Sequence, residues 1–240
     1  MANKIFVTTF NRKLYDEYAN QLIDSYINTK QSIPLYVFVE DDINYFKKAD
    51  NVHYINLFEE EPELKKFIER NKTNEAKSFT FDAVRFSYKV FAQNAARKYG
   101  QKLYYVDSDC VFVKQIPDKW FDECLPDDTF IAFYDRPNQY TETGFVAFNE
   151  NKLISKPFFN HYTKLYINDT VYKLNAYTDC HTLDDTRKFL KDDTHYKEHK
   201  LGDGANGHIM ARDKFLNPYI DHRKGLRKQS EHSPEWSKNQ

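Results

Sequence analysis

The chain is poor in the residues that mark a covalent framework or a compartment. It has three cysteines in 240 residues, and Cys110, Cys124 and Cys180 stand at no metal-binding spacing. That excludes a disulfide scaffold or a zinc ribbon and suits a reducing cytoplasm. No run of about 18 apolar residues and no N-terminal apolar segment is present, so neither a membrane span nor a signal peptide is expected. Excess charge of one sign is also missing. Its 35 Lys and Arg stand against 36 Asp and Glu, a net charge of −1, which argues against a broad nucleic-acid footprint and leaves room only for a local basic patch. Glycine is scarce at six residues, and no glycine-rich phosphate loop follows a strand.

Aromatic residues are abundant. Twenty Phe and 18 Tyr must supply much of the core and of any cleft. The length suits one α/β domain over residues 1–228, with an aperiodic, flexible tail expected over 229–240. Apolar runs at Lys4–Phe10, Leu35–Glu40 and Val52–Leu57 read as strands. They alternate with helical spacing at Leu14–Tyr26 and at Glu61–Arg70, where Pro62 sits in the first turn. This predicts βαβ units and a mainly parallel central sheet flanked by helices, with ligands bound beyond the carboxyl ends of the strands at Thr8–Asn11, Glu40–Asp42 and Asp107–Asp109.

A helix is predicted over Phe81–Ala95, capped by Gly100, with a second face of Asp82, Arg85 and Lys89 that reads as a solvated ion-paired surface or a functional one. Strands at Phe130–Phe133 and Gly144–Phe148, a helix at Pro157–Tyr166 and a helix start at Asp179–Asp185 follow, then a solvated stretch over Arg187–Lys200. In Glu142-Thr143-Gly144 the glycine lets a ligand or another backbone approach closely. Gly202-Asp203-Gly204-Ala205-Asn206-Gly207 predicts a sharply folded backbone. Asp221–Lys228 carries four cations, Arg223, Lys224, Arg227 and Lys228.

The stretch that organises the chain is Leu103–Phe112, Leu-Tyr-Tyr-Val-Asp-Ser-Asp-Cys-Val-Phe. It reads as a buried strand carrying two carboxylates where a core strand should have none. Extended backbone places residues i and i+2 on one side, so Asp107 and Asp109 would aim at one point. Such a hard oxygen pair suits Mg²⁺ or Mn²⁺, with phosphate oxygens completing the coordination. The competing reading is a turn whose carboxylates bond local backbone.

Three separated features bear on this choice: Asp-x-Asp after an apolar strand; Asp82-Ala83-Val84-Arg85 opening the helix that leads to it through Tyr99-Gly100; and His222-x-x-Gly225-x-x-Lys228 near the C-terminus. Together, over residues 4–228, they resemble the nucleotide-sugar-dependent glycosyltransferases of the GT-A type. The last motif is similar to that of the glycogenin and bacterial galactosyltransferase branch, although Gln229-Ser230 stands where that branch often has Pro-Trp, and Gln101 where sugar-binding members often have a second Gly. The resemblance implies a single GT-A, Rossmann-like domain and a metal-dependent hexosyl- or pentosyltransferase. It implies Asp109 and His222 as metal ligands and Asp107 on the metal or the ribose. Thr8, Phe10 and Asp41 would hold the nucleotide, and Asp82 and Arg85 the donor sugar or phosphate. Gly225 would let the backbone reach the diphosphate, to which Lys228 would add a positive charge. The implied donor is a nucleotide sugar, by family frequency a UDP-sugar, used with Mn²⁺ or Mg²⁺. An inverting enzyme needs a carboxylate base, for which Asp184, Asp179 and Glu142 are the candidates; a retaining one, as the glycogenin branch suggests, needs none.

The frequency of Lys, Asn, Ile, Tyr and Phe points to an AT-rich genome, bacterial or phage, and to work in a bacterial or host cytoplasm. The expected acceptor is a surface glycan or its lipid-linked precursor. The second choice is a hydroxymethylated base in phage DNA, whose phosphates Arg212, Arg223, Lys224, Arg227 and Lys228 would meet. Three other classes stay open. One is a nucleotidyltransferase that forms nucleotide sugars, although Thr8-Thr9-Phe10-Asn11-Arg12 lacks its glycine loop. The others are a metal-dependent phosphohydrolase and a non-catalytic nucleotide-sugar-binding domain.

Overall fold

The strands read as near-continuous apolar runs because the sheet they form is covered on both faces. The computed structural model describes residues 2–73, 78–202, 204, 207–230 and 232–234. In chain order the strands are β1 (Ala2–Thr9), β2 (Leu35–Val39), β3 (Val52–Asn56), β4 (Gly100–Val106), β5 (Cys110–Phe112), β6 (Ile131–Tyr134), β7 (Glu142–Asn149), β8 (Glu198–Leu201) and β9 (Ile220–His222). Seven join in the order β3-β2-β1-β4-β7-β6-β8, and β5 and β9 form a separate ribbon. Strands β3, β2, β1 and β4 are mutually parallel, as are β6 and β8, while β7 runs against both neighbours. The expected mainly parallel sheet is therefore present.

The principal helices are α1 (Asn20–Asn28), α2 (Pro62–Asn71), α3 (Ala83–Ala96), α4 (Asp118–Cys124), α5 (Ser155–Ile167), α6 (Asp179–Leu190) and α7 (Ile209–Arg212). Alternate strand residues feed opposite layers. Phe6 clusters with Leu22 and Tyr26 of α1 and Phe121 of α4, whereas Ile5 and Val7 cluster with Phe67 of α2, Phe91 of α3 and Phe158 of α5. The aromatic richness is spent here, in edge-to-face contacts such as Phe6 with Phe112 at 5.0 Å and with Phe121 at 5.7 Å. No helix among the described residues is long and apolar enough to cross a membrane.

From β1 the chain moves outward to β2 and β3, then returns to β4 on the other side of β1. That reversal opens a crevice beyond the carboxyl ends of β1 and β4, where open α/β sheets bind ligands.

Three expectations are corrected. The helix predicted over Leu14–Tyr26 is divided into a turn at Arg12–Leu14, a π-helical turn at Tyr15–Ala19 and α1. The wider turn accommodates Tyr15 against Phe10 and Phe46. The stretch Arg187–Lys200, expected as a solvated helix or loop, ends α6 as a helix but then supplies the edge strand β8, whose polar sequence suits a sheet edge. Third, the segment after Lys228 is packed at Ser233, which is fully buried and bonded to Asp221 and to the His222 carbonyl. Of the predicted glycine-rich turn, Gly202, Gly204 and Gly207 all have positive φ, the sharp folding that was expected. Asp203, Ala205 and Asn206 lie outside the described residues, as do residues 231 and 235–240 of the predicted tail.

Candidate functional site

β4 ends at Val106, and Asp107-Ser108-Asp109 turns instead of continuing it. Asp107 N–H donates to Gly144 O at 2.9 Å, and Cys110 N–H donates back to Asp107 O at 3.0 Å. The extended geometry expected for the two carboxylates is thus corrected. The turn preference of Asp and Ser prevails over the strand propensity of the flanks, because the chain must leave the sheet to form β5. The carboxylates converge all the same, through the ribbon. Antiparallel register sets Cys110 opposite His222, and His222 Nε2 comes to 3.2 Å from Asp109 Oδ1 and 4.0 Å from Asp107 Oδ2.

This contact is close but does not have hydrogen-bond geometry. Asp109 Oδ1 and His222 Nε2 are both buried with no hydrogen-bond partner among the described residues. A buried polar atom left so costs roughly 1–3 kcal/mol, and a cation between the two would satisfy both. Donor atoms of Asp109, Cys110 and His222 lie within 4.8 Å of one another, so the residues fit a divalent cation. Burial alone would drive the His222 imidazole down, but the carboxylates of Asp109, Glu142 and Asp107 hold it above its ordinary value. Burial likewise opposes ionised Asp109, and His222 and Lys228 outweigh it, keeping the carboxyl below the usual range. Lys228 Nζ lies 3.3 Å from Asp109 Oδ2 and 3.9 Å over the Tyr18 ring. The predicted Asp109, His222 and Lys228 are therefore brought together.

Lys89, expected on a solvated face as one of two readings, is instead largely enclosed, its side chain 12% exposed. Its ammonium is 2.6 Å from Asp107 Oδ1, pairs with Asp179 Oδ2 and donates to Thr143 O at 3.1 Å. Three acceptors use its three N–H bonds. Burial would discharge this lysine, yet the two aspartates hold its pKa well above the ordinary value. Asp179 also accepts from Thr143 Oγ1 at 2.6 Å and is held low, Lys89 outweighing burial.

The other predicted residues are more dispersed. Thr8 is fully buried and Phe10 nearly so, the latter stacked on Tyr15 at 5.8 Å. Asp41 accepts the Arg12 N–H at 2.5 Å. Asp82 caps α3 by accepting Arg85 N–H at 3.0 Å, and the exposed Arg85 lies 4.7 Å over Phe79. Burial, then the carboxylates of Glu40, Asp41 and Asp82, push the Tyr88 hydroxyl up. Gly225 has φ of 68° and nothing within 4 Å of where a Cβ would stand. Arg223, expected among cations open to phosphates, is buried against Asp221 and Gln21.

Gly144 has the close approach predicted for it, with a Cβ there falling 2.8 Å from His222 Cε1 and 2.7 Å from Met210 Sδ. Glu142 is buried. Its Oε1 accepts Gly144 N–H at 3.0 Å, and its Oε2 lies 3.2 Å from Arg136 and 3.6 Å from Lys224. These cations, with His222, hold its carboxyl low against burial. Asp184 accepts the Thr141 hydroxyl at 2.5 Å and Arg187 at 2.9 Å, and lines an open cavity of about 660 Å³ that Asp179 and Glu142 do not line. Sequence reasoning did not single out Cys110, Tyr18 or Arg136. Only the register of β5 on β9 and the folding of the loop after β6 bring them here.

No protein-family model matches the chain, and no curated protein matches it in sequence. Among solved structures it is similar to the apo form of mouse xyloside xylosyltransferase 1, with a TM-score of 0.52 and 13% identity over 84% of this chain and 86% of that one. It is similar also to the bifunctional glycosyltransferase WbbM, with a TM-score of 0.52 and 12% identity over 84% of this chain but 39% of that one. At such identities the likeness shows the fold alone: a single GT-A-like α/β domain built on a seven-stranded, mostly parallel sheet.

Proposed function

We propose that the chain is a metal-dependent glycosyltransferase that moves a sugar from a nucleotide-sugar donor, a UDP-sugar, to an acceptor hydroxyl. The observation that carries the reading is the buried pair Asp109 Oδ1 and His222 Nε2, 3.2 Å apart and without hydrogen-bond partners among the described residues. It lies beyond the carboxyl end of β4, where open α/β sheets bind ligands. The GT-A-like fold and the glycosyltransferases that share it support the same reading.

Asp109 and His222 would hold Mn²⁺ or Mg²⁺, which when bound neutralises charge on the departing diphosphate. Lys228 adds a fixed cation beside them, and the open backbone at Gly225 lets phosphate oxygens approach. Lys89 fixes Asp107 Oδ1, leaving Oδ2 to face the same point. Asp179 and Glu142 are engaged by Lys89 and Arg136 and held low, which suits them poorly to take a proton at neutral pH. Asp184 is the candidate base that reaches the cavity.

The test is a thermal-shift panel of nucleoside diphosphates and nucleotide sugars, with and without Mn²⁺, on the native chain and on Asp109→Ala. At a hundredfold excess over Kd a ligand adds about 2.7 kcal/mol. Stabilisation by one uridine nucleotide only with metal, lost in Asp109→Ala, is the expected result. A native chain that responds to no nucleotide on the panel refutes the reading.

A further inference from the structure

The 660 Å³ cavity lies between the Asp135–Thr141 loop, the end of α6 and β8. We propose that it binds the acceptor, and that the acceptor is an anionic saccharide with a phosphate close to the sugar ring; this rests on the glycosyltransferase reading above.

The position suits an acceptor. Arg136 is a shared wall, because it lines the cavity and its guanidinium lies 3.2 Å from Glu142 Oε2. Glu142 in turn bonds Gly144 N–H, and Gly144 backs directly onto His222. The side chains of Arg136 and Glu142 and the backbone of Gly144 therefore connect the cavity to the Asp109–His222 pair.

The chemistry of the walls suits a sugar. Tyr140 is 38% exposed and its ring packs against His181, which fixes a flat aromatic surface at the cavity wall. The negative face of such a ring attracts the polarised C–H groups on one side of a pyranose. Asp184, held by Thr141 and Arg187, is a rigid acceptor for sugar hydroxyls.

Charge narrows the class. Most of the lining charges are compensated: Asp135 pairs with Lys200 at 2.7 Å, Arg187 with Asp184 at 2.9 Å and Glu198 at 2.8 Å, and Arg136 with Glu142. Lys188 and Lys191 also line the cavity, and neither forms an ion pair among the described residues. They stand three apart at the end of α6 and so on one face. The helix dipole accounts for a cation in a last turn, but it does not require two to border the same cavity, where they repel one another. A phosphate relieves that repulsion, and a neutral sugar does not.

The experiment is an amide NMR titration of the full chain with glucose 6-phosphate, glucose and inorganic phosphate at constant ionic strength. A 6-phosphate is chosen because it does not mimic the anomeric phosphate of a donor. The expected result is that glucose 6-phosphate binds at least about tenfold more tightly than either of the others, with shifts at Tyr140, Thr141 and Lys188. Lys188→Gln and Lys191→Gln are exposed changes that leave the fold intact, and each should weaken it about fivefold. Tyr140→Ala should weaken glucose 6-phosphate but not inorganic phosphate. Glucose binding as tightly as its phosphate overturns the anionic class, and inorganic phosphate binding as tightly as glucose 6-phosphate overturns the saccharide. Absence of shifts around the cavity overturns the site. UDP with Mn²⁺, added to the same samples, reports the donor separately through shifts near Asp109 and His222. If those are missing while glucose 6-phosphate still binds the cavity, the acceptor role falls with the glycosyltransferase reading and a sugar-phosphate site remains.

Discussion

Replacing Lys89 by Met removes the cation that, among the described residues, contacts both Asp107 and Asp179. In the native chain the ammonium makes contacts of 2.6 Å to Asp107 and 3.1 Å to Thr143 O, besides its pair with Asp179. Met fills most of the volume but leaves two carboxylates near each other without the ammonium that bridges them. Breaking a buried ion pair by deleting one partner costs about 3–5 kcal/mol, a large part of the 5–15 kcal/mol that holds a typical domain. With a urea m-value near 3 kcal/mol/M, as suits a chain of this size, the unfolding midpoint should fall by about 1–1.7 M at pH 7.5. The sign of the pH dependence follows. Asp179 is held below its ordinary value by Lys89, so in the native chain its contribution is present above the unfolded pKa and is lost as acid protonates it. In Lys89→Met the same carboxyl is pushed up by burial and by Asp107, and protonating it relieves the repulsion. The gap between variant and native chain should therefore narrow toward pH 5. An unchanged midpoint at pH 7.5, or a gap that widens in acid, would refute a charged, structurally required Lys89. Lys89→Arg, which keeps the charge but not the shape, should fall between the two.

Gly144→Ala would place a methyl 2.8 Å from His222 Cε1 and 2.7 Å from Met210 Sδ; it should cost about 1–3 kcal/mol by overpacking and weaken Mn²⁺ binding at least about tenfold, read by thermal unfolding and by Mn²⁺ titration under electron paramagnetic resonance. Metal binding should release a proton, since His222 is held above its ordinary value and must be neutral to ligate; calorimetry in two buffers of different ionisation enthalpy measures it, and the affinity should start to fall at a higher pH than an ordinary imidazole would dictate. Glu61 is pushed up to about 7 by burial, only partly opposed by a 2.7 Å bond from Asn94, so its contribution is full below the unfolded pKa and lost as pH rises through 7. After discounting for partial exposure, Glu61→Gln should gain about 1–2 kcal/mol at pH 8, or roughly 3–6 °C in Tm, and nothing at pH 4.5.

What could be read from the sequence is what local pattern encodes. The strands β1 to β4, the helix α3 and the Pro62 start of α2 all rest on periodicity or first-turn chemistry confined to a dozen residues. The Asp-x-Asp was visible for a similar reason, since carboxylates interrupt an apolar run. Its geometry was not, because turn and strand differ only in whether the chain stays in the sheet, and that is decided by β9, more than a hundred residues away. The two readings of the Lys89 face stay undecided in the sequence because nothing in α3 shows that two aspartates from β4's end and α6 will close over it. β8 was missed because a polar edge strand has neither alternation nor an apolar run.

The ribbon β5–β9 explains why the site depends on parts of the chain that touch no candidate ligand. Three paired residues on each side are too few to hold a hairpin-like unit in water, so its register must be imposed from outside. Phe112 and Ile220 anchor it in the core, and Phe112 N–H is taken by Ser25 Oγ of α1 at 3.0 Å. Its open end is closed by Arg223 N–H on Asp109 O at 2.9 Å, with the Arg223 side chain tied to Gln21 at 2.6 Å. Ser233 then bonds the His222 carbonyl from beyond the motif. His222 therefore meets Asp109 only when α1 is packed, the ribbon is in register and the chain past Lys228 has returned. The pair that would hold a cation is positioned by the ribbon and the chain past Lys228 rather than by the sheet, and a bound cation should in turn stabilise the C-terminal segment more than the core.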